Sequence, residues 1–401
     1  MPKIGELTLT SVDEFDFRLL IKALGKGEKG SRSLTFAEAS LLIQGFAQGK
    51  VTQVQMASAM MLMRVRGETV DEVAGVVAGL KQSVSAQWAS LTVDIDWPVF
   101  AGKREQLPWL LLVAKLLANN GIKILLHGDS LALPHRRHVE SCIGALNITR
   151  CFNAEDAQQA LDDANIVYVH AGDMLNVLDE CRLLHQELGL RSIIQTASRC
   201  VNPANAPISL RSYFHPGLDN IHQQVAEKLF RHQHQHLQHQ QGIVGIFKGL
   251  QGETEINPRV TTTVKFVKSA AESLSCGDFS LDTSLEAFSG AKVGQADLSA
   301  DVLALLWSEI EPDKSTQLLQ LMSAPMIAQA VKSIESTLAL ILRLERELLA
   351  KQPLTDIAEA SQQVWANRLN PQAIFQQLQS LSHAEFINIS HSGNKEQICA
   401  V

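Results

Sequence analysis

VDIDWPVFAGKREQLPWLLLVAKLLANN, residues 93–120, reads as a short strand, a turn and an apolar helix. Val93 to Ile95 supply the strand, and Leu107–Asn119 is apolar enough to be a helix buried against a sheet. In a strand-turn-helix unit the turn is the natural place for a phosphate, because bare glycine amides and a helix N-terminus point there. Here Trp97, Pro98, Val99 and Phe100 fill the turn instead. Proline has no amide hydrogen and bulky side chains bar close approach, so backbone donors cannot cradle a diphosphate. Gly102, Lys103 and Arg104 follow, and offer two side-chain cations in place of amides.

Downstream, the same texture repeats. KILLHG (123–128), NIVYVH (165–170), RSIIQ (191–195), GIVGIF (242–247) and TTTVKFV (261–267) read as strands. The stretches 155–162, 173–188 and 218–231 read as the helices between them. Such alternation predicts an α/β domain with a central, mostly parallel sheet covered by helices. Upstream, the first 88 residues are helical. Thr35-x-x-Glu38, Thr52-x-x-Gln55 and Thr69-x-x-Glu72 are three capping boxes in succession, with Gly49 and Gly67 at helix ends. The Met-rich helix QVQMASAMMLMRVR is apolar on more than one face, which suits a dimer interface. Residues 298–367 return to helix. The expected organisation is therefore a helical subdomain over 1–88, an α/β domain over 89–370, and a helical extension with a polar tail over 371–401.

Composition narrows the function classes. The chain has 401 residues, 46% hydrophobic and 19% charged, as in ordinary globular proteins. Its net charge of −7 excludes a globally basic polyanion binder but not a local basic groove. The apolar run 324–350 carries Lys332, Glu335, Arg343, Glu345, Arg346 and Glu347, too many charges for a membrane span. Six scattered cysteines without a C-x-x-C pair indicate neither a disulfide framework nor a zinc site. With no charged-apolar leader at the N-terminus, the reading is a cytoplasmic protein.

Three motifs carry a resemblance. LLIQGFAQGKVTQVQMASAMMLMRVRGETVDEVAGVVAGLK (41–81) resembles the helical dimerisation segment of the anthranilate phosphoribosyltransferases, glycosyltransferase family 3. GLRSIIQTASRCVNPANAP (189–207) is similar to that family's G-V-R-T-I-F-N-L-L-G-P-L-T-N-P, and ILLHGDS (124–130) to its V-A-K-H-G-N-R-S. The resemblance, over roughly residues 15–370, implies the nucleoside phosphorylase/phosphoribosyltransferase-like fold and a homodimer built on the N-terminal helices. It also locates departures. The family's V-G-T-G-G-D diphosphate loop is absent, and Leu126 and Asp129 stand for the lysine and asparagine of the third motif. Thr254 and Glu255 stand at the acidic pair that holds magnesium, with Glu253 beside them, and His185 stands for an acceptor-binding arginine. FAGKREQLPWLLL (100–112), Phe214-His215-Pro216 and GLQGETEINP (249–258) resemble the family's YbiB-like branch, whose members bind single-stranded DNA and RNA.

The resemblance thus implies a degenerate relative that binds single-stranded nucleic acid non-specifically in a basic cleft and needs no cofactor. Gly102, Lys103, Arg104, His127, Gly128, Arg136, Arg137, Arg191 and Arg199 are the candidate phosphate contacts, and Trp97 and Phe100 the candidate base-stacking residues. Each has a plainer reading: loop charges paired with neighbours, and aromatics in the core. The alternative function is a phosphoribosyltransferase of altered donor or acceptor specificity, using magnesium held by the residual carboxylates Glu253 and Glu255. The run from His232 to Gln241 holds four histidines, either a transition-metal site or a tolerant surface segment.

Overall fold

The computed structural model describes residues 11–131, 133–235, 241–270, 273–282, 294–295, 297–351, 356–370, 372–374 and 376–377. Its contacts divide into two compact units. One comprises Met1–Ser90, Ala171–Pro203 and Asn220–Gln238; the other comprises Leu91–His170, Ala204–Asp219 and His239–Val401.

In the helical unit, α1 (Arg18–Gly25), α2 (Phe36–Ala47), α3 (Gln53–Arg66) and α4 (Val70–Gln82) follow one another. All three capping boxes form, each threonine accepting from the N3 amide while the N3 side chain returns to the cap amide. Glu72 also accepts from the Leu34 amide at 3.0 Å, so one carboxylate ties the start of α4 to the approach of α2. Helices α2 and α4 pack closely because glycine lies at the contact. A Cβ on Gly79 would sit 2.7 Å from the Ser40 carbonyl oxygen and 2.8 Å from Ile43 Cβ. Gly79→Val is therefore expected to lower stability by about 1–3 kcal/mol through overpacking, seen as a lower Tm. On α3, Met56, Met60 and Met63 are buried, whereas Val54 and Val65 are 76% and 84% exposed. Later in this unit His232 stacks on Phe36 with ring centroids 4.7 Å apart, and Lys228 pairs with Asp71 at 2.7 Å. His232 is thus packed against an aromatic ring; His236 and His239 lie outside the described residues.

The α/β unit carries a nine-stranded sheet: β1 (Ile95–Pro98), β2 (Ile124–Gly128), β3 (Thr149–Cys151), β4 (Ile166–His170), β5 (Ile208–Tyr213), β6 (Gly242–Leu250), β7 (Glu253–Ile256), β8 (Thr262–Ala270) and β9 (Ser273–Leu281). The order is β3-β4-β2-β1-β5-β6-β8-β9, with β7 paired to β6. The strands from β3 across to β6 run parallel; β7, β8 and β9 add antiparallel pairings. One face, with Ile95, Trp97, Leu126, Leu210 and Phe247, packs into the main core. The helices Leu110–Ala118 and Ala324–Leu348 contribute to that core. The second is the one described helix long and apolar enough to cross a membrane. It is a core helix here, 72% buried over its most apolar window, and its Thr337 and Ser333 hydroxyls bond the Ile256 amide and carbonyl.

Two expectations change. RSIIQ is not a strand: Ile194–Ala197 is helical, with Gln195 accepting from the Ser192 amide at 2.6 Å. The strand beside β1 is instead Ile208–Tyr213. No disulfide joins the described cysteines. Most of the expected tail, residues 378–401, lies outside the described residues.

Candidate functional site

Strand β1 pairs with β2 on one side and β5 on the other, so strands that follow it in the chain are laid down first on one side of it and later on the other. In parallel sheets a ligand crevice forms outside the carboxyl ends of strands at such a switch point. The turn 99–104 lies there. Val99 N bonds the His127 carbonyl at 2.8 Å and extends the strand pairing by one residue. Lys103 then forms a two-bond antiparallel bridge with Arg137, at 2.8 Å each way, which pins the turn to the segment after β2.

The side chain of Lys103 points inward. It is fully buried and ion-paired with the fully buried Glu255. Burial pulls the Lys103 ammonium below the lysine range and pushes Glu255 above the carboxylate range, each partly offset by the other's charge. Lys103 is therefore not a cleft cation: the sequence expected exposure because lysines seldom go inside, and the structure supplies the buried partner that permits it. Glu255 also accepts from the Leu110 amide at 2.9 Å, at the start of the helix after the turn. Glu253 accepts from Gly102 N at 2.8 Å and from Thr254 N at 3.0 Å. Trp97 is fully buried and donates from Nε1 to the Thr254 carbonyl at 2.9 Å, so it is a core residue and no base-stacking surface.

This arrangement decides the fit of magnesium. The ion needs about six oxygens in near-octahedral array, several of them water. Both carboxylates of the residual pair are closed off, with the lysine on one and two backbone amides on the other. No cluster of three or more metal-ligating side chains forms among the described residues. The residues present do not fit a divalent cation.

A second buried assembly lies across β2, β1 and β5. His127 Nε2 is 2.8 Å from Asp96 Oδ1, and the Ser209 hydroxyl donates to Asp96 Oδ2 at 2.7 Å. The Asp96 carboxyl thus orients the imidazole through Nε2, with Nδ1 on the other side of the ring. Phe100, half-buried, meets the His127 ring edge-on with centroids 5.6 Å apart. Asp129 and His170 make a second such pair at 3.3 Å. Gly128 is buried, and a Cβ on it would lie 2.3 Å from the Val99 carbonyl oxygen, so a glycine is needed where the turn passes β2. Sequence reading singled out His127 but missed Asp96 and Ser209. The D-x-D of VDID was the available signal, since an aspartate inside an apolar strand needs a partner.

The remaining cations divide. Arg136 donates from Nη1 toward the carbonyls of Ala101, Gly102 and Gln251, at 3.1, 3.3 and 3.3 Å. Arg137 donates to the Leu298 carbonyl. The Arg136 side chain thus braces the turn, and that of Arg137 ties the segment after β2 to Leu298. Arg104 is exposed: its amide bonds the Gln251 side chain at 2.7 Å, and its guanidinium has no ion-pair partner among the described residues. His135 is exposed too. Arg191 and Arg199 belong to the helical unit, the first exposed and the second half-buried.

Comparison with known proteins follows this geometry. The glycosyl transferase family helical bundle domain matches residues 18–84. The anthranilate phosphoribosyltransferase of Actinobacillus pleuropneumoniae is 26% identical over 214 residues, 53% of this chain and 64% of that protein. Protein YbiB of Escherichia coli is 25% identical over 205 residues, 50% of this chain and 64% of that one. In both cases the match spans just under two thirds of the relative. Among solved structures, the Saccharomyces cerevisiae anthranilate phosphoribosyltransferase in complex with PRPP and Mg superposes with a TM-score of 0.63 at 14% identity, covering 91% of this chain and 98% of that one.

Proposed function

Starting from a chain that belongs to the anthranilate phosphoribosyltransferase-like proteins of glycosyltransferase family 3, we infer that it binds single-stranded nucleic acid and does not transfer phosphoribosyl groups from a magnesium diphosphate. One observation carries this reading. The Lys103 ammonium, from inside, pairs with Glu255, one of the two residual carboxylates that would bridge a metal to the donor. Positioning and charge stabilisation are nearly all that phosphoryl-bearing donors receive from a protein, and both are missing here. What remains at the carboxyl edge suits a repeating phosphate chain: exposed Arg104, His135 and Lys248 on flexible stems, rather than a rigid amide cradle.

The transferase of altered specificity is the second reading. It is favoured by the related enzymes and by the buried Asp96–His127 pair, in which a carboxyl group orients an imidazole.

Fluorescence anisotropy of labelled oligodeoxythymidylate separates the two. The expected result is binding that weakens log-linearly with salt and strengthens with oligonucleotide length. Calorimetric titration with PRPP is expected to give no heat, with or without magnesium. Magnesium-dependent PRPP binding, with no affinity for the oligonucleotide at low salt, would reverse the order of the two readings.

A further inference from the structure

We propose that Phe214, with His215 set edge-on against it, is the platform on which an unpaired base of the bound strand stacks, with Arg104 and Lys248 taking the adjoining phosphates. The proposal rests on the nucleic-acid reading above and assigns that site an exposed aromatic component, which the buried Trp97 does not supply.

Phe214 is the first residue beyond β5, at the same carboxyl edge as the turn 99–104. It is 49% exposed, in a unit whose Phe247 is fully buried. The ring is held in place all the same. His215 forms a T-shaped pair with it, at 84° with centroids 5.1 Å apart. From below, the β6–β7 turn comes close because Gly252 adopts φ +91°; a Cβ there would lie 3.4 Å from Phe214 Cβ and 3.4 Å from Ala101 Cβ. A residue with a side chain at 252 would be strained in that left-handed conformation.

The neighbours supply charge. Gln251 in that turn bonds the Arg104 amide, so Arg104 lies along the same rim. On the other side Lys248 is in register with Tyr213, the residue before Phe214, and its side chain is exposed. An aromatic face flanked by two exposed cations matches one stacked base between two phosphates. A fixed ring loses little freedom on binding, so stacking on it is not offset by ordering. A diphosphate offers no flat apolar surface to Phe214; an unpaired base does.

The test measures anisotropy with oligodeoxythymidylate and with an abasic oligonucleotide of equal length. Phe214→Ala is expected to weaken oligodeoxythymidylate binding by roughly tenfold while leaving the abasic strand and the salt slope unchanged. Phe214→Trp is expected to retain binding and to gain an emission signal that the bases quench. Arg104→Glu is expected to weaken both strands and to flatten the salt dependence. Unchanged Tm in each variant confirms that the exposed positions have been altered without unfolding. If Phe214→Ala binds both strands as the parent does, the platform is overturned and the nucleic-acid reading stands. If the parent protein binds neither strand at low salt, the nucleic-acid reading falls and the platform with it.

Discussion

Lys103→Met is expected to destabilise the protein by about 3–5 kcal/mol, because it leaves the Glu255 carboxylate buried without its counter-charge. In a unit of this size that corresponds to a Tm lower by roughly 10 °C. The companion change decides the cause. Adding Glu255→Gln removes the stranded charge and keeps an oxygen to accept from the Leu110 amide, so the double variant is expected to regain most of the loss. A ligand-contacting lysine would behave in the opposite way. If Lys103→Met melted with the parent protein and lost oligonucleotide affinity, the internal pairing would be wrong. Calorimetry for stability and anisotropy on the folded variant separate these outcomes.

Trp97→Ala is the second large effect. Deleting a fully buried indole costs about 3–5 kcal/mol in transfer and cavity terms, and here it also strands the Thr254 carbonyl that Nε1 bonds. Trp97→Phe, which fills more of the space and loses only the hydrogen bond and one ring, is expected to cost less. In the parent protein Trp97 is expected to emit as a dry indole, shielded from acrylamide, whether or not an oligonucleotide is present. Quenching of Trp97 emission by an oligonucleotide would place the ring back at the surface.

These two residues mark where the sequence stops being legible. Local signals were reliable: the capping boxes at Thr35, Thr52 and Thr69 need only partners three residues away, and each forms as spelled. The parallel strands containing Ile124 and Ile166 were equally plain, since β-branched runs flanked by helical patterns have few other readings. The strand Ile208–Tyr213 was hidden because Ser209, Arg211 and Ser212 interrupt its apolar pattern, and Ser209 is there to serve Asp96. RSIIQ failed for the converse reason: a short apolar run has no intrinsic preference strong enough to exclude a helical turn.

At the site the limit is distance along the chain. GKRE reads as a basic loop until Glu255, 152 residues away, is known to lie beneath it. The lost glycine loop was visible in the sequence, but what replaced it was not. The sequence offered two cations for a ligand; the fold keeps one for itself and leaves Arg104 outside.

The buried ammonium has a consequence in mass action. A diffusible cation stabilises a site by an amount that depends on its concentration relative to its dissociation constant. Lys103 is supplied by the same chain and fixed by the bridge to Arg137, so its occupancy has no concentration in it. Glu255 therefore always faces a cation that the chain itself carries, whatever the solution around it contains.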